Sequence, residues 1–166
     1  MKKICLLFVS FVLVATSFAQ TDSVQAPPFK RFPSVPPMKL LLTDSTTWFT
    51  KEDISSKKPL LLMLFSPDCD HCQHETEAII SRIADFKNIQ IVMATTLPFD
   101  KMMEFYNRYQ LNRFPNITVG RDGSYFLPVF FNIRNLPLLA FYDKKGKLID
   151  AAEGSLPIEK VLEKFQ

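Results

Sequence analysis

From Pro59 to Ser66 the chain reads PLLLMLFS, eight residues without a charge, bounded by Lys57-Lys58 before and Pro67-Asp68 after. A strand buried on both faces gives such an uninterrupted apolar run, whereas a half-buried strand alternates. Periodicity alone leaves a buried helix open for the same eight residues. The next twenty residues narrow the choice. Cys72, Ile79, Ile80, Ile83 and Phe86 recur at helical spacing with Glu75, Glu77, Arg82 and Asp85 between them. That spacing predicts an amphipathic helix over residues 70–86. A buried strand handing straight over to a helix, with SPDCDHCQHETE (66–77) at the junction, is the feature the rest of the chain has to accommodate.

Further elements obey the same logic. Residues 38–43 read as a short edge strand, and NIQIVMATT (88–96) as a second buried strand. PFDKMMEFYNRY (98–109) reads as a helix with Met102, Phe105, Tyr106 and Tyr109 on its apolar side and Pro98 in its first turn. Residues 111–134 mix a strand at 117–119 with the aromatic stretch YFLPVFFNI. PLLAFYD (137–143), the turn KKGK and LIDAAEG (148–154) form a hairpin, and LPIEKVLEKF (156–165) a closing helix. Strand–helix–strand–helix and then hairpin and helix argue an α/β sandwich around a mixed sheet. Phe65, Trp48, Phe126, Phe130 and Phe131 are expected in its core. Asn116-Ile117-Thr118 matches a glycosylation acceptor by spelling.

The amino terminus is a separate matter. MKKICLLFVSFVLVATSFA carries Lys2 and Lys3, then an apolar run, then the small residues Ser17 and Ala19. This is the three-part pattern of a secretory signal peptide over residues 1–19, and the run falls short of the roughly 20 residues that span a bilayer. Residues 20–37 hold five of the twelve prolines and read as an extended leader laid over the domain, which occupies 38–166. The expected location is periplasmic or otherwise extracytoplasmic. Without Lys2 and Lys3 the chain has 18 basic and 17 acidic residues, which gives no reason to expect nucleic acid as a partner.

Cys5 leaves with the signal, so the exported chain keeps only Cys69 and Cys72. One pair cannot make a structural disulfide framework. The first turn of a helix offers unpaired N–H groups and a partial positive charge, which favour a thiolate at Cys69. Cys72, one turn on, falls on the apolar side. An exposed attacker over a partly buried resolver suits thiol–disulfide exchange. His71 and His74 raise a second reading, a metal clasp. Residues 71 and 74 are rotated away from 69 and 72 on a helix, and no other His or Cys exists in the exported chain to complete a zinc site. A copper carrier using two or three of these ligands stays open.

Together these residues resemble the thioredoxin superfamily over about 38–166. The strand–CxxC–helix junction matches, and so does NLPLLAFYDKKGKLI (135–149), where the family has a cis-proline ahead of the strand beside the dithiol. Pro137 stands at that position with Leu136 before it. The set is most similar to exported thioredoxin-like disulfide reductases, the TlpA/ResA-like proteins that include cytochrome-maturation factors, whose pattern has a glutamate where Glu75 stands. The resemblance implies a thioredoxin-like sandwich: a central mixed β-sheet flanked by helices, with an N-terminal extension and an insertion before the cis-Pro loop. It implies Cys69 as nucleophile, Cys72 as resolver, Glu75 as proton carrier, and Leu136 and Pro137 as substrate-binding residues, with Asp70 and His71 tuning the thiolate in opposite senses. It further implies a monomer acting on protein thiols and disulfides, recharged by a redox partner for which a membrane protein is a candidate, with no organic cofactor and no metal.

The sequence also departs from the family. Asp68 replaces a common Trp before the first cysteine, Met63 replaces the buried Asp of thioredoxin, and Asp70-His71 replaces Gly-Pro. Without its match to the reductases, Glu75 reads as a solvated helix carboxylate. A thiol peroxidase is a related alternative on the strength of Ser66, three residues before Cys69, although Leu62 stands where its proline belongs.

Overall fold

The computed structural model describes residues 25–166, so the signal segment lies outside the described residues. Seven strands form one sheet: β1 (Lys39–Leu42), β2 (Trp48–Thr50), β3 (Leu60–Leu64), β4 (Gln90–Thr95), β5 (Ile117–Arg121), β6 (Leu138–Tyr142) and β7 (Leu148–Glu153). Their order is β2-β1-β5-β4-β3-β6-β7. The sheet is parallel where β3, β4 and β5 pair and antiparallel elsewhere, as expected for helical crossovers and a terminal hairpin. Five helices pack on it: α1 (Pro28–Arg31), α2 (Asp70–Ser81), α3 (Phe99–Arg108), α4 (Phe126–Phe131) and α5 (Ile158–Glu163).

The unbroken apolar run is explained by two cores, one on each face of the sheet. Side chains alternate along a strand, so Leu61, Met63 and Phe65 face α2, α3 and α5, while Leu60, Leu62 and Leu64 face α1 and α4. All five β3 residues are buried, and β3 is paired on both sides, to β4 and β6. A charge anywhere in the run would sit in one core or the other.

Several expectations need correction. Residues 39–42 form an inner strand, because β2, which the sequence did not announce, pairs outside it and takes the edge. Trp48 lies on that edge strand and is 46% exposed, with the Lys39 ammonium 4.5 Å from its ring centroid, so it is a surface cation–π pair and not core. Phe126 is half-buried, whereas Phe65, Phe130 and Phe131 are buried as expected. The helix expected over 70–86 ends at Ser81. Ser81 turns its hydroxyl back to the Ala78 carbonyl, Arg82 leaves helical geometry (φ −116°), and a 3-10 turn, Ile83–Phe86, carries Phe86 into the core. Asn116 donates its side-chain amide to the carbonyls of Phe86 and Ile89, so it is engaged inside the fold rather than offered to solvent.

Residues 111–134 resolve into a 3-10 turn (Leu111–Arg113), β5 and α4. The start of α4 is set by Asp122, 2% exposed, whose carboxylate accepts from Leu127 N (2.7 Å), Ser124 N (3.2 Å) and Ser124 Oγ (2.7 Å). Left-handed residues flank this helix, Tyr125 (φ 58°) and Asn132 (φ 51°). The later part of the leader belongs to the packed molecule. Phe29 of α1 meets Phe131 of α4 at 5.6 Å between centroids, and residues 33–35 hydrogen-bond the hairpin turn through Val35 N to Gly146 O and Leu148 N to Pro33 O, both 2.9 Å. Gly120 is needed where β5 meets β1, since a Cβ there would lie 2.7 Å from the Leu40 Cβ.

Candidate active site

β3 delivers the chain to the carboxyl end of the sheet, and the Ser66–Cys69 turn, closed by Cys69 N to Ser66 O at 3.2 Å, starts α2. Cys69 is its N-cap. The Cys69 sulfur accepts from Cys72 N at 3.4 Å, the position a capping oxygen usually fills, and its thiol donates to the Leu136 carbonyl at 3.8 Å. The Cys69 sulfur is thereby held against the first turn of α2. Cys69 is partly exposed and Cys72 fully buried, both as free thiols. Burial, and then the Cys69 sulfur, push the Cys72 thiol well above its ordinary range, and the Glu75 charge adds to this.

Glu75 is where the structure corrects the solvated reading. It is 1% exposed and shares the buried face of α2 with Cys72, one turn earlier. Its Oε2 accepts from Leu156 N at 2.9 Å, while Oε1 is the one buried side-chain oxygen or nitrogen without a partner among the described residues. Burial raises its pKa above 4.5, against the lowering influence of the Leu156 hydrogen bond. The group is therefore suited to accept and hold a proton beneath the dithiol.

The opposite wall is the loop before β6. The Leu136–Pro137 peptide is cis, Pro137 is buried, and Leu136 is half-buried with its carbonyl on Cys69. Two supports of this wall escaped the sequence. Glu153, at the end of β7, accepts from Arg134 N (3.0 Å), Asn135 N (2.9 Å) and Asn135 Nδ2 (3.2 Å). Gly154 N donates to Pro137 O at 2.8 Å. The next residues reach across to α2: Ser155 Oγ donates to His71 O at 2.9 Å, and Leu156 N to Glu75. Segment 153–156 thus ties both sides of the site together. No spacing rule links Glu153 to residues 134–135; the only hint is a carboxylate placed where the last strand runs out.

Asp70, His71 and His74 are exposed on α2. Among the described residues no group of three or more His, Cys, Asp or Glu side chains gathers as a metal-ligand set, and no helix is long and apolar enough to cross a membrane.

No protein-family model matches the chain, and no curated protein does. Solved structures do. A secreted Mycobacterium tuberculosis disulfide oxidoreductase homologous to Escherichia coli DsbE superposes with a TM-score of 0.65 at 17% identity, covering 77% of this chain and 93% of that one. DsbF of the same organism gives 0.66 at 23%, covering 79% and 96%. A Plasmodium vivax 2-Cys peroxiredoxin gives 0.62 at 15%, covering 78% and 90%. The fold is thioredoxin-like, a mixed sheet flanked by helices, as the sequence led us to expect. Because that fold carries more than one thiol chemistry among these neighbours, the activity has to be argued from the site.

Proposed function

We propose that this thioredoxin-like chain is an exported thiol–disulfide oxidoreductase acting on protein substrates through Cys69 and Cys72. The observation that carries the proposal is the Cys69 sulfur itself, partly exposed, capped by Cys72 N–H and faced by the Leu136 carbonyl, with its resolving partner buried one turn below.

In the reducing direction the Cys69 thiolate attacks one sulfur of a substrate disulfide. That S–S bond breaks, one substrate thiolate leaves, and a Cys69–substrate disulfide forms. Cys72 then gives its proton to Glu75, and its thiolate attacks the Cys69 sulfur. The second substrate thiolate leaves, protonated from solvent, and a Cys69–Cys72 disulfide remains. Two electrons have passed to the substrate; the reverse sequence oxidises a substrate dithiol. Glu75 answers a specific need here, since a buried thiol held well above its ordinary range reacts only if a nearby base takes its proton. Leu136 and Pro137 present backbone to an extended substrate strand. The dithiol carries the electrons without an organic cofactor, and a redox partner, in the membrane or beside it, restores it after each cycle.

The test is exchange itself. Wild-type protein should reduce insulin disulfides with a dithiol donor or oxidise a reduced substrate, and Cys69→Ser should do neither. Absence of both activities in the wild type, with any donor or acceptor, would remove the proposal. Equilibration with glutathione then sets the direction: a potential near about −120 mV marks an oxidant and one near about −270 mV a reductant.

A further inference from the structure

We propose that a small cavity lined by Leu136 is a specificity subsite, which takes one small aliphatic side chain from the residue next to the substrate cysteine. This rests on the exchange activity proposed above and adds a preference among its substrates.

The cavity, about 60 Å³, lies at the carboxyl ends of β3 and β4. Leu64, Ala94 and Leu127 form its floor, Leu136 its wall, and half-buried Thr96 and exposed Tyr125 its mouth. Leu136 packs against both cores of the molecule. Leu136 therefore touches both: its carbonyl lies 3.8 Å from the Cys69 sulfur, and the residue lines the cavity. Successive side chains of an extended strand point to opposite faces. A substrate strand laid along Leu136 that turns its cysteine toward Cys69 turns the adjacent side chain toward the cavity.

The lining selects the chemistry. The polar groups inside the cavity have partners: the Asp122 carboxylate holds Ser124 and Leu127 N, and Thr95 Oγ1 accepts from Leu97 N, which leaves the Thr96 and Tyr125 hydroxyls at the mouth. The rest of the lining, Leu64, Phe65, Ala94, Leu127, Ile133 and Leu136 among it, is largely carbon. The volume admits a small branched group and excludes an aromatic ring. The walls are also held open. Asp122 pins the start of α4, and Tyr125 stands at φ 58° with its side chain 58% exposed at the rim. A bulky residue in the left-handed region is uncommon outside positions with a specific reason for it. Well-packed interiors close such voids, and this one is lined by the residue whose carbonyl faces the Cys69 sulfur.

The experiment uses short peptides, each carrying one cysteine as a mixed disulfide with glutathione, with Gly, Ala, Val, Phe or Asp placed on either side of the cysteine. For the full-length dithiol protein, kcat/KM should rise about tenfold from Gly to Val at one of the two flanks and fall again for Phe and Asp. The Val-to-Gly ratio should drop toward one in Ala94→Val, which fills the floor, and in Thr96→Leu, which narrows the mouth at the surface should the first variant fold poorly. Equal kcat/KM for Gly, Ala and Val in the wild type, or an unchanged ratio in Thr96→Leu, overturns the subsite. If the wild type exchanges with no peptide and no small disulfide, the oxidoreductase reading fails and the subsite falls with it; exchange without discrimination removes the subsite alone.

Discussion

Replacing Glu75 by Gln keeps the length of the side chain and a carbonyl oxygen for Leu156 N, but removes the ability to carry charge. In the folded protein this carboxyl is 1% exposed with Oε1 unpartnered, and burial raises its pKa above 4.5. At low pH the group is protonated in both folded and unfolded chains, so its contribution to stability is fully present. As pH rises past 4.5, the unfolded chain releases its proton first, and stability is lost until the folded value has been passed. An unpartnered buried acceptor costs about 1–3 kcal/mol, toward the upper end when charged. Glu75→Gln should therefore match the wild type near pH 4 and exceed it by about 1–3 kcal/mol at pH 8, with roughly 2–4 °C in Tm for each kcal/mol in a chain of this size. Cys72 does not confuse the comparison, because its thiol stays neutral over that range. Urea denaturation of the dithiol form at pH 4, 6 and 8 reads the effect directly. The same variant should slow the Cys72 step by about 10²-fold or more while leaving the first attack by Cys69 intact. Wild-type and variant stabilities that run parallel from pH 4 to 8 would refute the assignment of Glu75 as a buried titrating group.

Three further outcomes are expected. Cys72→Ser should accumulate the Cys69–substrate mixed disulfide, seen as an added mass that dithiothreitol removes, and Cys69→Ser should give none. Gly120→Ala should lower stability by about 1–3 kcal/mol, because its Cβ would lie 2.7 Å from Leu40 Cβ and two paired strands must part; an unchanged Tm would contradict the close approach of β1 and β5. Glu153→Ala should change stability by less than about 1.5 kcal/mol, since water can reach the exposed Arg134 and Asn135 amides, yet raise KM for protein substrates by loosening the Leu136–Pro137 wall. An unaltered KM would leave Glu153 with no positioning role.

The strands and helices that were legible in the sequence are those whose pattern is local. PLLLMLFS as an unbroken apolar run, the α3 stripe and the final hairpin each carry a local signal, and each formed where expected. What was not legible depended on partners distant along the chain. β2 is three residues long and is defined by its pairing with β1, so the edge was assigned one strand too early. α4 is apolar on all sides and contains Pro128, and its start is fixed by Asp122, five residues before Leu127, outside the usual capping distance. Glu75 reads as a surface carboxylate by residue type, although its spacing from Cys72 and Ile79 puts it on their face, because nothing near it in sequence says that Leu156 will cover it. The cysteines and Pro137 were readable as a set through the resemblance. Segment 153–156, which holds that set together, was not.

The position of β3 has a consequence for how the molecule opens. It is flanked by β4 and β6 and covered on both faces, so its amides exchange with solvent only when most of the sheet has separated. The four-residue α1, packed on α4, and β2, paired with β1 alone at the sheet edge, are the elements expected to open first. Cys69 stands five residues beyond the last residue of β3 and is anchored by the turn at Ser66. The dithiol is thus mounted on the part of the molecule that is last to let go, and local fraying at the periphery, of the kind that exposes a chain to proteases, leaves its geometry in place.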